Sequence, residues 1–191
     1  MLNGKTTFSP FIIQHLPFII MLIYLIFAAF MFLGALVQTS FPVTVSQLEL
    51  RADFVLLLVV AITLVRGLRE GLVWAFLGGA LLGVLAPHTL PLGSYSLLLL
   101  TVAVVASLSQ NNLFESNLIM PLAIVAIASI TFRLLLLLAT EGAALRNDPG
   151  PMLLRLLLPE VIIDVILAPL VYTLVSWLDG RLGQRLPVEW Q

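Results

Sequence analysis

Apolar runs of unequal length, separated by short polar breaks, account for nearly the whole chain. They extend from Leu16 to Val37, Phe54 to Val65, Leu72 to Ala86, Leu97 to Leu108, Leu118 to Ala139 and Val161 to Leu178. A spanning helix takes ~20 apolar residues, so this pattern predicts an all-α integral membrane protein. Six transmembrane helices would form one compact bundle, with approximate spans 16–37, 54–65, 72–86, 97–108, 118–139 and 161–178. The second run, of about 12 residues, reaches only about 18 Å of a hydrocarbon core of about 30 Å. It must extend through Asp53, thin the bilayer, or lie behind its neighbours. The mixed-polarity stretch Val43 to Leu50 just before it has no secondary structure assigned by the pattern.

The breaks have local causes. The first run is longer than a signal-peptide core and is followed by Gln38-Thr39-Ser40-Phe41-Pro42 rather than a small-residue cleavage site, so it is expected to stay attached. Arg66-Gly67-Leu68-Arg69-Glu70-Gly71 reads as a tight charged hairpin turn between the second and third runs. Ser116 is positioned to cap the fifth helix, with Pro121 near its first turn. Asn147-Asp148-Pro149-Gly150-Pro151 is turn-forming and belongs outside the hydrocarbon, and Met152 to Leu158 reads as a short interfacial helix. Pro169 falls well inside the last run, where it removes a backbone donor and predicts a kink.

The third run carries a packing signal. Gly71, Ala75, Gly79 and Gly83 recur every four residues, with Gly78 beside them, and place small residues where another backbone can approach closely. The ridge serves either packing within the bundle or a partner subunit; spacing alone is compatible with both.

Composition agrees with the pattern and removes whole function classes. Among 191 residues, 61% are hydrophobic and 10% charged, and the mean hydropathy is +1.13. A net charge of -1 provides no basic field for nucleic acid. With no cysteine, disulfides, thiolate metal sites and cysteine nucleophiles are excluded. The distribution of Lys5, Arg66, Arg69, Arg181 and Arg185 against Arg51, Arg146 and Arg155 places both termini in the cytoplasm. Trp74 and Trp177 then fall near the inner interface and Tyr95 near the outer one.

Ionisable groups inside a bilayer are expensive, so each needs a partner. Arg133 lies about 10 Å deep in the fifth helix. Glu160 and Asp164, four residues apart on one face of the last helix, reach the same level. The expectation is an Arg133–Asp164 pair with Glu160 as second partner. Such a group either fixes helix register, lines a groove for an anionic ligand, or meets another membrane subunit. His15 and His88 lack neighbours at metal-ligand spacing, and no nucleophile elbow, P-loop or hydrolase motif is present. No cofactor is expected. Arg66, Gly67, Arg69 and Glu70 are placed to anchor the hairpin and to meet lipid phosphates.

Arg51-Ala52-Asp53 before an aliphatic run, Arg66-Gly67-Leu68-Arg69-Glu70-Gly71, Gly78-Gly79, Pro87 and Leu92-Gly93 together resemble the MreD family of rod shape-determining membrane proteins. Length, six runs and the last helix with Asp164 and Pro169 are similar too. Gly83 departs from the pattern, since MreD-like sequences often carry an aspartate there. The resemblance implies a non-enzymatic scaffold of the bacterial cell-elongation complex in the cytoplasmic (inner) membrane. Its implied partners are an MreC-like protein, a RodA-type glycosyltransferase and its class B transpeptidase, in support of peptidoglycan synthesis. On that reading the partner surfaces are the glycine face of the third helix and the last helix around Pro169. A compact six-helix layout also resembles the substrate-binding subunit of energy-coupling-factor vitamin transporters. In that alternative, Arg133, Glu160 and Asp164 would be pocket groups.

Overall fold

A computed structural model describes residues 10–40, 43–45, 48–50, 52–86, 90–91, 93–108, 119–147 and 157–182. Six helices lie among these residues: α1 (Pro10–Ser40), α2 (Phe54–Arg66), α3 (Leu68–Leu85), α4 (Ser94–Leu108), α5 (Ile119–Asn147) and α6 (Leu158–Leu182). Three stretches, Leu68–Leu85, Pro121–Thr140 and Leu158–Arg181, are long and apolar enough to cross a membrane. Between α1 and α2 the chain forms a short antiparallel hairpin, β1 (Val43–Val45) on β2 (Leu48–Leu50), with Thr44 opposite Glu49. The expected all-α architecture therefore has this one small addition, in the stretch that the pattern left unassigned.

The short second helix is explained by its surroundings. Every residue of α2 from Val55 to Leu64 is buried, and α1, α3, α4, α5 and α6 all pack on it. A helix apolar on all sides belongs in the middle of a bundle, where it meets protein rather than lipid. Of the three options its length allowed, it takes the third and lies behind its neighbours. Two polar contacts bracket it: Asp53 with Asp164 at its start and Arg66 with Asp179 at its end. Residue numbers rise together along both helices, so α2 and α6 run parallel.

Helix boundaries differ from the apolar runs because backbone bonding continues beyond the hydrophobic residues. The charged turn is the clearest correction. Only Gly67 interrupts the backbone, with φ 99° and ψ 171°, a region open to glycine and strained for other residues. Its N–H donates to the Thr63 carbonyl at 2.9 Å and its own carbonyl accepts from Gly71 at 3.0 Å, so α3 starts at Leu68 and already contains Arg69 and Glu70. Pro121 sits in the first turn of α5, and α6 runs unbroken through Pro169. Ser116, His88, residues 148–151 and most of the interfacial helix expected at Met152 to Leu158 lie outside the described residues.

The small-residue stripe of α3 is covered from within the chain. Gly71, Ala75, Gly79 and Gly83 are all buried. A side chain at Gly71 would enter Thr63 of α2, one at Gly78 would meet Val55 of α2 and Met31 of α1, and one at Gly79 would occupy the backbone of Tyr95 and Ser96 in α4. A period of four overshoots the 3.6-residue turn, so successive positions rotate around the helix from α2 towards α4. The stripe thus serves two internal contacts, which is the packing within the bundle that its spacing allowed.

Trp74 packs inside the bundle. It is 2% exposed, stacked on Tyr24 with ring centroids 6.0 Å apart and tilted against Phe27 at 5.9 Å. Trp177, by contrast, is 52% exposed and lies under the Arg181 guanidinium at 5.0 Å, an arrangement suited to an interface.

Candidate functional site

The polar residues of the interior converge where α2 begins. Arg133, near the middle of α5, directs its guanidinium at three carboxylates from two other segments. Its Nη2 lies 2.8 Å from Asp164 Oδ2 and 2.9 Å from Asp53 Oδ2, and its Nη1 meets Glu160. Glu160 and Asp164 stand one turn apart on α6, which brings both to the same side of Arg133. Asp53 comes from the chain just before α2.

Around this core the bonds continue. Ser129, one turn before Arg133 on α5, donates its hydroxyl to Asp164 Oδ2 at 2.6 Å. The other Asp164 oxygen accepts the backbone N–H of Asp53 at 3.0 Å. Gln38, near the end of α1, donates to Asp53 Oδ1 at 2.7 Å. Asp164 is fully buried, Arg133 6% and Asp53 7% exposed. A planar guanidinium with five donors can hold several carboxylates at once, as a lysine ammonium could not in the same plane.

The structure therefore joins Arg133 to Asp164 and Glu160 and adds Asp53, Ser129 and Gln38. Asp53 was visible in the sequence as an acid opening a short apolar helix, but nothing in the pattern paired that end of α2 with α5 and α6. Ser129 gave a fainter signal, one turn from Arg133. The cluster ties α1, α2, α5 and α6 together, which is what a register-fixing centre does.

A second polar layer closes the other end of α2. Arg66 Nε donates to Asp179 Oδ1 at 2.9 Å, and its guanidinium also lies 4.8 Å from the centre of the Phe27 ring. On α3, Glu70 accepts the Tyr24 hydroxyl at 2.5 Å. Arg69 is exposed. Of the hairpin residues, Arg66 and Glu70 are thus engaged within the chain, and Arg69 faces outward.

Between α2, α5 and α6 lies an apolar groove of about 550 Å³, counted to its open mouth, with Leu57, Ala61, Val125, Ala168, Pro169 and Tyr172 in its walls. Pro169 is exposed at this groove. Beside it, Ile162, Ile166 and Leu170 are also exposed and repeat every four residues along α6. Among the described residues, no group of three or more His, Cys, Asp or Glu has a metal-holding arrangement. The ionic cluster is organised around a guanidinium, not around a vacant cation position.

No protein-family model matches the chain, and neither a curated protein nor a solved structure is detectably similar to it.

Proposed function

We propose that this protein is a non-enzymatic scaffold of the bacterial cell-elongation complex, a six-span MreD-like bundle in the cytoplasmic membrane with both termini in the cytoplasm. The observation that carries this reading is the contrast between interior and exterior. The interior carboxylates are bonded to Arg133 and to neighbouring segments, whereas α6 presents an apolar ridge beside an apolar groove. A bundle locked from inside offers a rigid side wall for another transmembrane helix. In a bilayer such contacts depend on close packing and shape, because lipid tails are as apolar as the helix.

The partner surface on this reading is α6 around Pro169, with the groove beside it, since Gly71 and Gly79 of the α3 stripe pack within the chain. The implied partners are an MreC-like protein, a RodA-type glycosyltransferase and its class B transpeptidase. A vitamin-binding role would need Arg133, Glu160 and Asp164 to release one another and face a ligand. Their mutual bonds favour the scaffold.

Purification of the tagged full-length chain from native membranes, followed by mass spectrometry, tests the proposal. Recovery of the MreC-like, RodA-type and transpeptidase proteins is the expected result. Recovery of a transmembrane coupling subunit with paired ATPases, or of a bound vitamin, would replace the scaffold with transport.

A further inference from the structure

The apolar groove opens where α5 and α6 part. These helices run antiparallel and are held together by Arg133 with Glu160 and by Ser129 with Asp164. One turn further along each, Val125 and Ala168 already line the groove, whose floor is Leu57 and Ala61 of the buried helix α2. The gap stays open because its walls carry little bulk: Ala61 and Ala168 supply only methyl groups, and Pro121 and Pro169 compact rings. Thr173, also in the wall, donates its hydroxyl to the Pro169 carbonyl at 2.6 Å, so it asks nothing of an occupant. Lining atoms without neighbours forfeit dispersion contacts, which an aliphatic chain restores.

On α6 the groove continues into a row that ends on a charge. Pro169, Thr173, Trp177 and Arg181 follow one another at intervals of four, and all are exposed. Arg181 lays its guanidinium 5.0 Å from the centre of the Trp177 ring. Asp179, two residues away, is bonded to Arg66 at 2.9 Å, and Arg181 has no ion pair among the described residues. It closes the membrane-crossing stretch Leu158–Arg181, at the level where lipid phosphates lie.

We propose that this face of the free chain binds one anionic phospholipid, with its phosphate on Arg181 and an acyl chain in the groove between α2, α5 and α6. The depths agree. At about 1.5 Å per residue, Thr173 lies about 12 Å and Pro169 about 18 Å below Arg181, the range reached by the far part of a chain in one leaflet of a core about 30 Å thick. A guanidinium laid over an indole still has donors for phosphate oxygens, and a cation without a carboxylate partner favours a net negative headgroup over a zwitterionic one. The site does not depend on the scaffold reading; a partner helix seated in the same groove would displace the lipid.

The test places the purified full-length chain in phosphatidylcholine nanodiscs with a trace of phosphatidylglycerol that carries a diazirine at the end of one acyl chain. After irradiation, the adducts are mapped by mass spectrometry. They are expected to concentrate on Val125, Pro169 and Thr173 over Leu97 and Val104, which are exposed on α4 and take no part in the groove. Unlabelled phosphatidylglycerol should compete them away, and unlabelled phosphatidylethanolamine should not. Arg181→Gln, at an exposed position where folding is not at stake, should lower the groove adducts about fivefold and leave those on Leu97 and Val104 unchanged. Groove labelling no denser than that of Leu97 and Val104 in the wild-type chain overturns the acyl site. Groove labelling indifferent to headgroup charge and to Arg181→Gln overturns the phosphate site, and with it the anionic lipid.

Discussion

The backbone N–H of Asp53 donates to the side chain of Asp164 across 3.0 Å, joining positions 111 residues apart. Through it, Asp164 holds the start of the buried helix α2 as well as Arg133 and Ser129. Asp164→Asn keeps the shape and one acceptor and leaves Asp53 and Glu160 beside Arg133, but it weakens the buried charge-assisted bonds that Asp164 accepts from Arg133, Ser129 and the Asp53 N–H. The expected loss is about 2 kcal/mol, read as a lower melting temperature in detergent. Arg133→Gln should lose a similar amount, and the double variant less than the sum. Additive losses would mean that the two side chains do not act as a pair.

The Arg66–Asp179 bridge at the other end of α2 should matter less. Its side chains are 13% and 14% exposed, against 0% for Asp164, and water reaching an ion pair screens it. Asp179→Asn is expected to lower stability by about 1 kcal/mol or less. The comparison of the two Asn variants by thermal unfolding checks the ordering, which a larger loss at Asp179 would reverse.

Gly79 and Gly180 offer a matched pair of alanine substitutions. At Gly79 a methyl group would enter the α4 backbone at Tyr95 and Ser96, while at Gly180 it meets nothing within 4 Å. Backbone cannot swing aside as a flexible side chain can. Gly79→Ala should therefore lose about 1–3 kcal/mol, and Gly180→Ala should be neutral or gain up to about 1 kcal/mol. Denaturation of the two variants in parallel distinguishes close packing from a general sensitivity of glycines.

Gly67→Ala probes conformation without contact. No atom lies within 4 Å of a side chain there, yet φ is +99°. The expected loss, about 1–3 kcal/mol, comes wholly from the backbone between α2 and α3. An unchanged melting temperature would show that the hairpin can turn through another geometry.

Pro169→Ala separates stability from partner binding. Alanine restores the donor that proline lacks in α6, so the isolated chain should be at least as stable. If the groove beside Pro169 receives a partner helix, capture of that partner from native membranes should fall several-fold. Undiminished capture by a folded Pro169→Ala chain would remove this surface from the scaffold proposal.

Much of the architecture is legible from local pattern. Apolar runs locate six helices, Gly67 lies within the charged break, and an arginine deep in an apolar helix demands carboxylates at its own level. Asp53 escaped pairing because its contacts with Arg133 and Asp164 depend on α2 being central, and the sequence of a single helix does not say which neighbours surround it. The burial of Trp74 was hidden for the same reason: an aromatic near a helix end suits an interface, and nothing in α3 itself says that Tyr24 and Phe27 of α1 enclose it. The glycine stripe revealed close approach without revealing towards what. Small residues record the distance to a neighbour, not its identity.

With 13 residues, α2 is too short to settle across a bilayer alone, and its surroundings exist only once the other helices have assembled. Gly67 is the single residue separating it from α3, so α2 cannot be placed independently of that longer helix. The order of assembly is thereby constrained: α2 gains its full enclosure only when α4, α5 and α6, which follow it in the chain, have packed on it.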